Sequence, residues 1–232
     1  MNVFFSFIDL THTLTSASPS WNGRCGFSKE VQLDNASCES EVKFRVHQIS
    51  MHAGIGTHMD APAHCIPQAQ TIDQLSLDQF IAPCVVIDLS AHCDERFIVS
   101  TANIQEFEAR KGSIPAGSFV IVYTGWDRYW EDRDRYRNNL IFPSISIEAA
   151  QYLLSRKICG VGIDTLSPDR SEDGFLVHEL LLGNGKYIVE NVCNASKMPA
   201  TGGYTFAMPM KMEGATEAPV RLIGVVPKNF AG

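Results

Sequence analysis

The sequence predicts an α/β fold, one domain over residues 1–232 built from strands and helices together. Three observations carry that prediction. CVVIDLS (84–90), SFVIVYTGW (118–126) and ICGVGID (158–164) are near-continuous apolar runs, the pattern of strands buried on both faces. Amphipathic stretches at 101–111 and 146–156 alternate with those runs. No internal repeat or low-complexity linker divides the chain.

Taken in order, residues 3 to 10 carry a first strand, FFSFIDL, followed by Thr11, His12 and Thr13. TSASPSWNGRCGF is rich in Ser, Pro, Asn and Gly and predicts an irregular surface loop. Trp21 in that loop either packs on the domain or lids a pocket, since binding groups often ride on loops. EVKFRVHQIS (41–50) alternates polar and apolar residues, the pattern of a half-buried strand with His47 facing solvent. IPQAQTIDQLSLDQF holds a turn and a short helix anchored by Leu75 and Phe80.

In the 101–111 helix, Ile104, Phe107 and Glu108 fall at helical spacing. DRYWEDRDRYRNN (127–139) mixes both charges with aromatics and predicts a solvated face. Ser146 is placed to cap the helix over SIEAAQYLLSR. HELLLG predicts a short helix ended by Gly183 and Gly185, with a strand from Tyr187. Two further strands follow between Tyr204 and Val226.

Composition narrows the function. A net charge of −7 and a pI near 5.5, with no basic stripe, argue against a nucleic-acid partner and for a small-molecule one. No long uncharged apolar run predicts a membrane span, and the N-terminus lacks the pattern of a signal peptide. The seven cysteines (25, 38, 65, 84, 93, 159 and 193) are scattered without CxxC pairing, which predicts reduced thiols and a cytoplasmic location. Cys65, beside His64, is either a ligand or nucleophile or a small buried hydrophobe, and the last reading is preferred because free cysteine more often plays that part.

The chemistry concentrates in ISMHAGIGTHMDAPAH (49–64), where His52, His58, Asp60 and His64 fall within thirteen residues around Gly54 and Gly56. On an extended strand His52, His58 and Asp60 share a parity and project to one side. Imidazoles with a carboxylate and no thiolate suit zinc, manganese or iron, and an open position for water suits catalysis. The alternative is a set of separate polar residues in a surface loop. His178 and Glu190, twelve residues apart, join this set if a short helix and a strand return them to one place.

HAGIGTHMDAPAH resembles the HxGTHxDxPxH signature of the cyclase family of metal-dependent hydrolases, which includes bacterial kynurenine formamidases and isatin hydrolases. DLTHTLTSASPSWNG, VIVYTGWDRYW, GVGIDTLSPD, FLVHELLLGNGKYIVEN and FAMPMKMEGATEAPVRLIG resemble further family blocks in the family order. The resemblance implies a swivelling β/β/α fold around a central mixed sheet, assembled as a homodimer. It implies that His58 and Asp60 are ligands of a first metal and His178 and Glu190 of a second; by the donor chemistry the expected metal is zinc, with manganese the alternative, one or two per chain. It also implies that His64 moves protons.

One position departs from the family. Four residues before His58 the family has another histidine, and here that residue is Gly54. Either His52, about 6–7 Å further along a strand, reaches in as a replacement, or the first metal is weak or absent. The activity implied is hydrolysis of a C–N amide bond, most concretely in an aryl formamide such as N-formylkynurenine. His64 would protonate the departing amine, the alternative being a histidine that only hydrogen-bonds beside the metal ligands; Trp21 would stack on the substrate, and Trp126 would either stack there or pack the core beneath the site. The alternatives are a cyclic amide or lactone and a catalytically silent metal-binding member. Thr57 is expected to support ligand geometry.

Overall fold

The computed structural model describes residues 4–24 and 26–228; Val3, expected in the first strand, and Cys25 lie outside them. Strand β1 (Phe5–Asp9) leads through the Trp21 loop to a hairpin, β2 (Phe27–Leu33) and β3 (Val46–Met51). β4 (His58–Asp60) follows a turn, and α1 (Leu77–Phe80) runs directly into β5 (Ile81–Asp88). Next come β6 (Ile98–Val99), α2 (Thr101–Lys111), β7 (Phe119–Tyr123), α3 (Arg133–Arg137), β8 (Ser144–Ile145) and α4 (Ile147–Ser155). β9 (Gly160–Ile163), α5 (Leu176–Gly183), β10 (Tyr187–Glu190), β11 (Gly203–Pro209) and β12 (Glu217–Pro227) complete the order.

Seven strands close on themselves in the order β12-β11-β5-β7-β9-β10-β4, with β4 pairing back to β12 and β1 added outside β12. β5, β7, β9 and β10 run parallel; the other pairings are antiparallel, so the sheet is mixed. Closure removes the sheet edges that would otherwise stay unpaired. Alternation then sorts side chains to two sides. Met59, Phe119, Ile121, Tyr187, Val189, Ala218, Val220 and Leu222 fill the inside. Val120, Val122, Val161, Ile163 and Ile188 face outward against Ile104 and Phe107 of α2, Ala150 and Leu153 of α4, and Val177 and Leu181 of α5.

The helices begin where the sequence places them because their caps are local. Ser100 accepts from the Asn103 N–H and Ser146 from the Ala149 N–H, each satisfying a donor that the helix leaves open. The segment 127–139 divides by residue type. Its charged groups lie outside, while Trp130 and Tyr136 are buried with Trp126, Phe142 and Leu166 in a third cluster.

The hairpin departs from expectation. β3 is paired only with β2 and is exposed along almost its whole length rather than half-buried, because no other described element covers either face. No described helix is long and apolar enough to cross a membrane.

Candidate metal centre

The site forms where closure of the sheet brings distant chain segments together. Glu190 is the register partner of His58 across β10 and β4. Met59 and Val189 point into the barrel, so His58, Asp60 and Glu190 point out of it, toward α5. His178, on the first turn of α5, meets them there, and all four side chains are buried.

The four groups share their contacts. His58 Nε2 lies 3.6 Å from Asp60 Oδ1 and 3.3 Å from Glu190 Oε2. His178 Nε2 lies 3.7 Å from Asp60 Oδ2 and 3.3 Å from Glu190 Oε1. Each carboxylate therefore faces both imidazoles. The other ring nitrogens are held in place: His58 Nδ1–H donates to the Gly56 carbonyl (2.8 Å) and His178 Nδ1–H to Asp169 Oδ2 (2.7 Å). Fixing the δ nitrogen on an acceptor leaves the ε nitrogen as the ligand atom, as metal-binding histidines require.

Backbone geometry supports this arrangement. Gly56 adopts φ +65°, which its lack of a Cβ permits, and its carbonyl also accepts from Asn191 Nδ2 (2.8 Å). Thr57 accepts the His12 N–H (3.0 Å) and donates to the Asn191 carbonyl (2.7 Å), tying the start of β4 to the end of β10.

The residues fit a divalent cation. Asp60 Oδ1 is buried with no hydrogen-bond partner, an arrangement costly for a carboxylate unless a cation shares it. Burial lowers the proton affinity of both histidines, yet the neighbouring carboxylates more than reverse it. Asp60 and Glu190 push His58 up to about 10, and Asp169, Asp60 and Glu190 push His178 up to about 12. Burial likewise opposes ionisation of Asp60, but His58, His178 and His64 hold its carboxyl below the ordinary value. Without a metal, these carboxylates favour a proton on each Nε2, the atom a cation would take. His58, Asp60 and Glu190 form one set of three convergent ligand atoms, and Asp60, His64 and His178 form another, so Asp60 stands between two positions.

These groups line a cavity of about 430 Å³ together with Trp21, Phe175, Cys65 and Glu217. His64 sits on its open side, with Nδ1 3.5 Å from Glu217 Oε2. Trp21 and Phe175 form an aromatic wall, their ring centroids 5.6 Å apart. Cys65 is exposed at the cavity rather than buried, because it follows the 3-10 turn at Pro62–His64. Partial desolvation raises its thiol pKa and makes it a poor nucleophile.

The structure moves two expected site residues elsewhere. His52 is exposed on the far side of a turn, with its ring over Gly26. The extended path that would align it with His58 is broken between Ala53 and Thr57, where Gly56 takes its left-handed conformation. Trp126 is buried behind the site, its indole N–H donating to the Tyr136 carbonyl and its main-chain N–H to Asp164. His12, with no partner legible in the sequence, is buried and stacked on Trp130 at 3.9 Å.

Sequence reasoning missed Asp169, Phe175 and Glu217. Asp169 and Phe175 sit in loop stretches whose destination only the fold reveals. Glu217 reaches the site through its pairing with Asp60 across β12 and β4.

A paired imidazole and carboxylate set on the rim of a closed mixed sheet, opening on an aromatic cavity, defines a candidate hydrolytic metal centre. Residues 8–170 match a family model described as "Putative cyclase". An isatin hydrolase from Roseibium aggregatum is 34% identical over 188 residues, covering 75% of this chain and 72% of the relative. A kynurenine formamidase from Bacillus thuringiensis is 26% identical over 221 residues, covering 93% and 95%. The solved structure of isatin hydrolase A from Ralstonia solanacearum superposes with a TM-score of 0.88 at 28% identity, covering 96% of this chain and 92% of that one. The chain belongs to the cyclase family, and it is a hydrolase of that family.

Proposed function

We infer that the protein hydrolyses the C–N bond of an aromatic amide, using a divalent cation held by His58, Asp60, His178 and Glu190. Zinc suits this nitrogen and oxygen donor set, with manganese second and one or two ions per chain. The observation that carries the reading is the geometry of His58 and His178, each with Nδ1 locked and Nε2 turned to the same two carboxylates. When bound, such a cation lowers the pKa of water from ~16 toward ~7 and polarises a carbonyl.

The chain's own groups supply the rest. Trp21 and Phe175 hold an aryl ring against the wall of the cavity and exclude water from that side. Gly56 and Asp169 keep the imidazoles from rotating. His64, at the open side, delivers a proton to the nitrogen as the C–N bond breaks. For a cyclic amide that nitrogen stays on the product; for a formamide it leaves as an amine.

Two substrates share this chemistry. A cyclic aryl amide of the isatin type is favoured by the 34% identity to an isatin hydrolase and by the isatin hydrolase structures, one of which holds the product analogue thioisatinate. An aryl formamide of the N-formylkynurenine type is favoured by kynurenine formamidases that align over nearly the whole chain. We place the enzyme in the cytoplasm, a reading supported by the free thiols of all six described cysteines. Assembly as a homodimer is supported by Phe5 and Phe7 on β1 and Val46 and Ile49 on β3, which one chain alone leaves exposed.

The test is hydrolysis of isatin and of N-formylkynurenine by protein of measured metal content, before and after chelation. Cleavage of isatin, lost on chelation and restored by metal, supports the first substrate. Cleavage of the formamide alone selects the second. Bound metal with neither cleaved points to a silent member, and activity that survives complete metal removal overturns the mechanism.

A further inference from the structure

Glu217 lines the cavity but belongs to neither set of convergent ligand atoms. Its backbone is fixed from two directions. It opens β12 opposite Asp60 in the antiparallel pairing with β4. Ala61, the next residue after Asp60, donates its N–H to the Thr216 carbonyl at 2.9 Å, and its own carbonyl accepts the His64 N–H at 2.8 Å. One residue thus ties the start of β12 to the turn that carries His64.

The side chain follows from that placement. Ala218, Val220 and Leu222 face the interior of the barrel, so Glu217 faces outward, where the cavity lies. Its Oε2 lies 3.5 Å from His64 Nδ1, and among the described residues His64 is its ion-pair partner. Gly54 leaves room for this carboxylate: a Cβ there would fall 2.5 Å from Oε2 and 3.0 Å from the carboxyl carbon. The φ of Gly54 lies outside the left-handed region, so its backbone does not itself demand glycine. An ion pair between two freely moving surface side chains is worth little. Here the pair lies on a cavity wall, with both backbones pinned through Ala61 and the carboxylate seated against Gly54.

We propose that Glu217 is the positioning residue for His64: its carboxylate accepts the Nδ1–H, which leaves Nε2 as the atom that exchanges protons with the substrate. The inference rests on the proton role given to His64 above. A histidine held at one ring nitrogen does its chemistry at the other, and His58 and His178 are held in the same way by Gly56 and Asp169. A separation of this length in a catalytic pair commonly closes once substrate binds. In the reaction Nε2 gives its proton to the nitrogen of the breaking C–N bond, and the water consumed returns one to it. Nδ1 keeps its proton on Glu217 throughout, so the carboxylate neither gains nor loses one.

The experiment is a double-mutant cycle on the metal-loaded full chain, with Glu217→Gln, His64→Gln and the two combined. Isatin and N-formylkynurenine are the substrates, and metal content is measured in each sample. Glu217→Gln is expected to lower kcat about tenfold to a hundredfold, part of the roughly 10²–10⁴ that a general acid supplies, with KM and metal content kept. In the His64→Gln background the same change should have no further effect. Gly54→Ala keeps the glutamate but displaces its carboxylate, and should reproduce the loss. Nitrogen-15 NMR of the His64 ring, in zinc-loaded protein at mildly alkaline pH, reads the link without activity. The proton is expected on Nδ1 in wild type and spread over both ring nitrogens in Glu217→Gln and Gly54→Ala. The His64→Gln spectrum identifies the signals, and thermal unfolding shows which variants fold; either Glu217→Gln or Gly54→Ala alone carries the comparison.

A folded Glu217→Gln with wild-type kcat and tautomer, an equal loss in the His64→Gln background, or loss of metal overturns the role of Glu217 and leaves that of His64 standing. A wild type that cleaves neither compound, or a folded His64→Gln with full activity, overturns the role of His64 and that of Glu217 with it.

Discussion

Asp169 Oδ2 accepts two hydrogen bonds from one residue, the main-chain N–H of His178 at 2.9 Å and its ring Nδ1–H at 2.7 Å. Oδ1 of the same carboxylate accepts the Val177 N–H at 2.9 Å. The residue at the N-cap position of α5 is Phe175, whose side chain cannot cap, so Asp169 satisfies the open helix donors from outside the helix. One side chain therefore starts the helix and aims the imidazole that the helix carries.

Asp169→Asn should weaken metal binding by about tenfold to a hundredfold, the usual cost of losing an outer partner of a metal-binding histidine. The amide keeps one acceptor oxygen but offers an N–H₂ where the carboxylate accepted. Chelator competition gives the affinity, and near-ultraviolet circular dichroism shows whether packing is kept. Unchanged affinity in a folded protein would mean that Asp169 serves the helix alone.

His64 differs from His58 and His178 in exposure and in partner: it stands on the open side and meets Glu217 rather than a locked acceptor. His64→Gln should lower kcat by about 10²–10⁴, the range for loss of a general acid, while the metal content of the His58, Asp60 and Glu190 set persists. Elemental analysis beside steady-state kinetics separates the two roles. Loss of metal in step with activity would make His64 a ligand instead.

The two tryptophans should part company. Trp21 is half-buried on the cavity wall, whereas Trp126 is 2% exposed in the aromatic cluster behind it. Trp21→Ala is expected to raise KM for an aromatic amide severalfold with little loss of stability. Trp126→Ala removes a filled core position and should cost about 3–5 kcal/mol of folding stability. Denaturant unfolding with kinetics on the same variants checks both, and a Trp21→Ala variant with an unaltered KM would remove that ring from substrate binding.

Elements whose information is local were legible in the sequence. The spacing of Ile104 and Phe107 announces α2, Ser146 announces α4, and the apolar runs around Val86, Ile121 and Val161 announce β5, β7 and β9. The closure of the barrel was not, because β4 has three residues and its partners β10 and β12 lie more than a hundred positions downstream. The site divides in the same way. His58 and Asp60 keep the strand parity read from the sequence, and their meeting with His178 and Glu190 agrees with the family resemblance. His52 lies away from the site because strand parity does not carry through the turn at Gly56, and Glu217 is not legible because only the cross-strand register places it beside Asp60.

Protons and metal compete for the same atoms, which fixes a pH dependence. Burial alone would lower His58 and His178, but Asp60, Glu190 and Asp169 push them up to about 10 and about 12, from an ordinary value of 6.5. A histidine raised on folding contributes stability that is complete below 6.5 and is lost as the pH climbs through the folded value. The metal-free protein should therefore weaken from about pH 6.5 upward. A cation must displace the Nε2 protons, so its affinity rises over the same range. Metal at a hundred times its Kd adds about 2.7 kcal/mol, or roughly 5–10 °C for a chain of this size. The rise in Tm on adding a fixed metal concentration should thus be small near pH 6 and grow toward pH 9. Calorimetry with and without metal at each pH measures it, and a rise that stays flat or shrinks with pH would show that the cation does not bind through these two imidazoles.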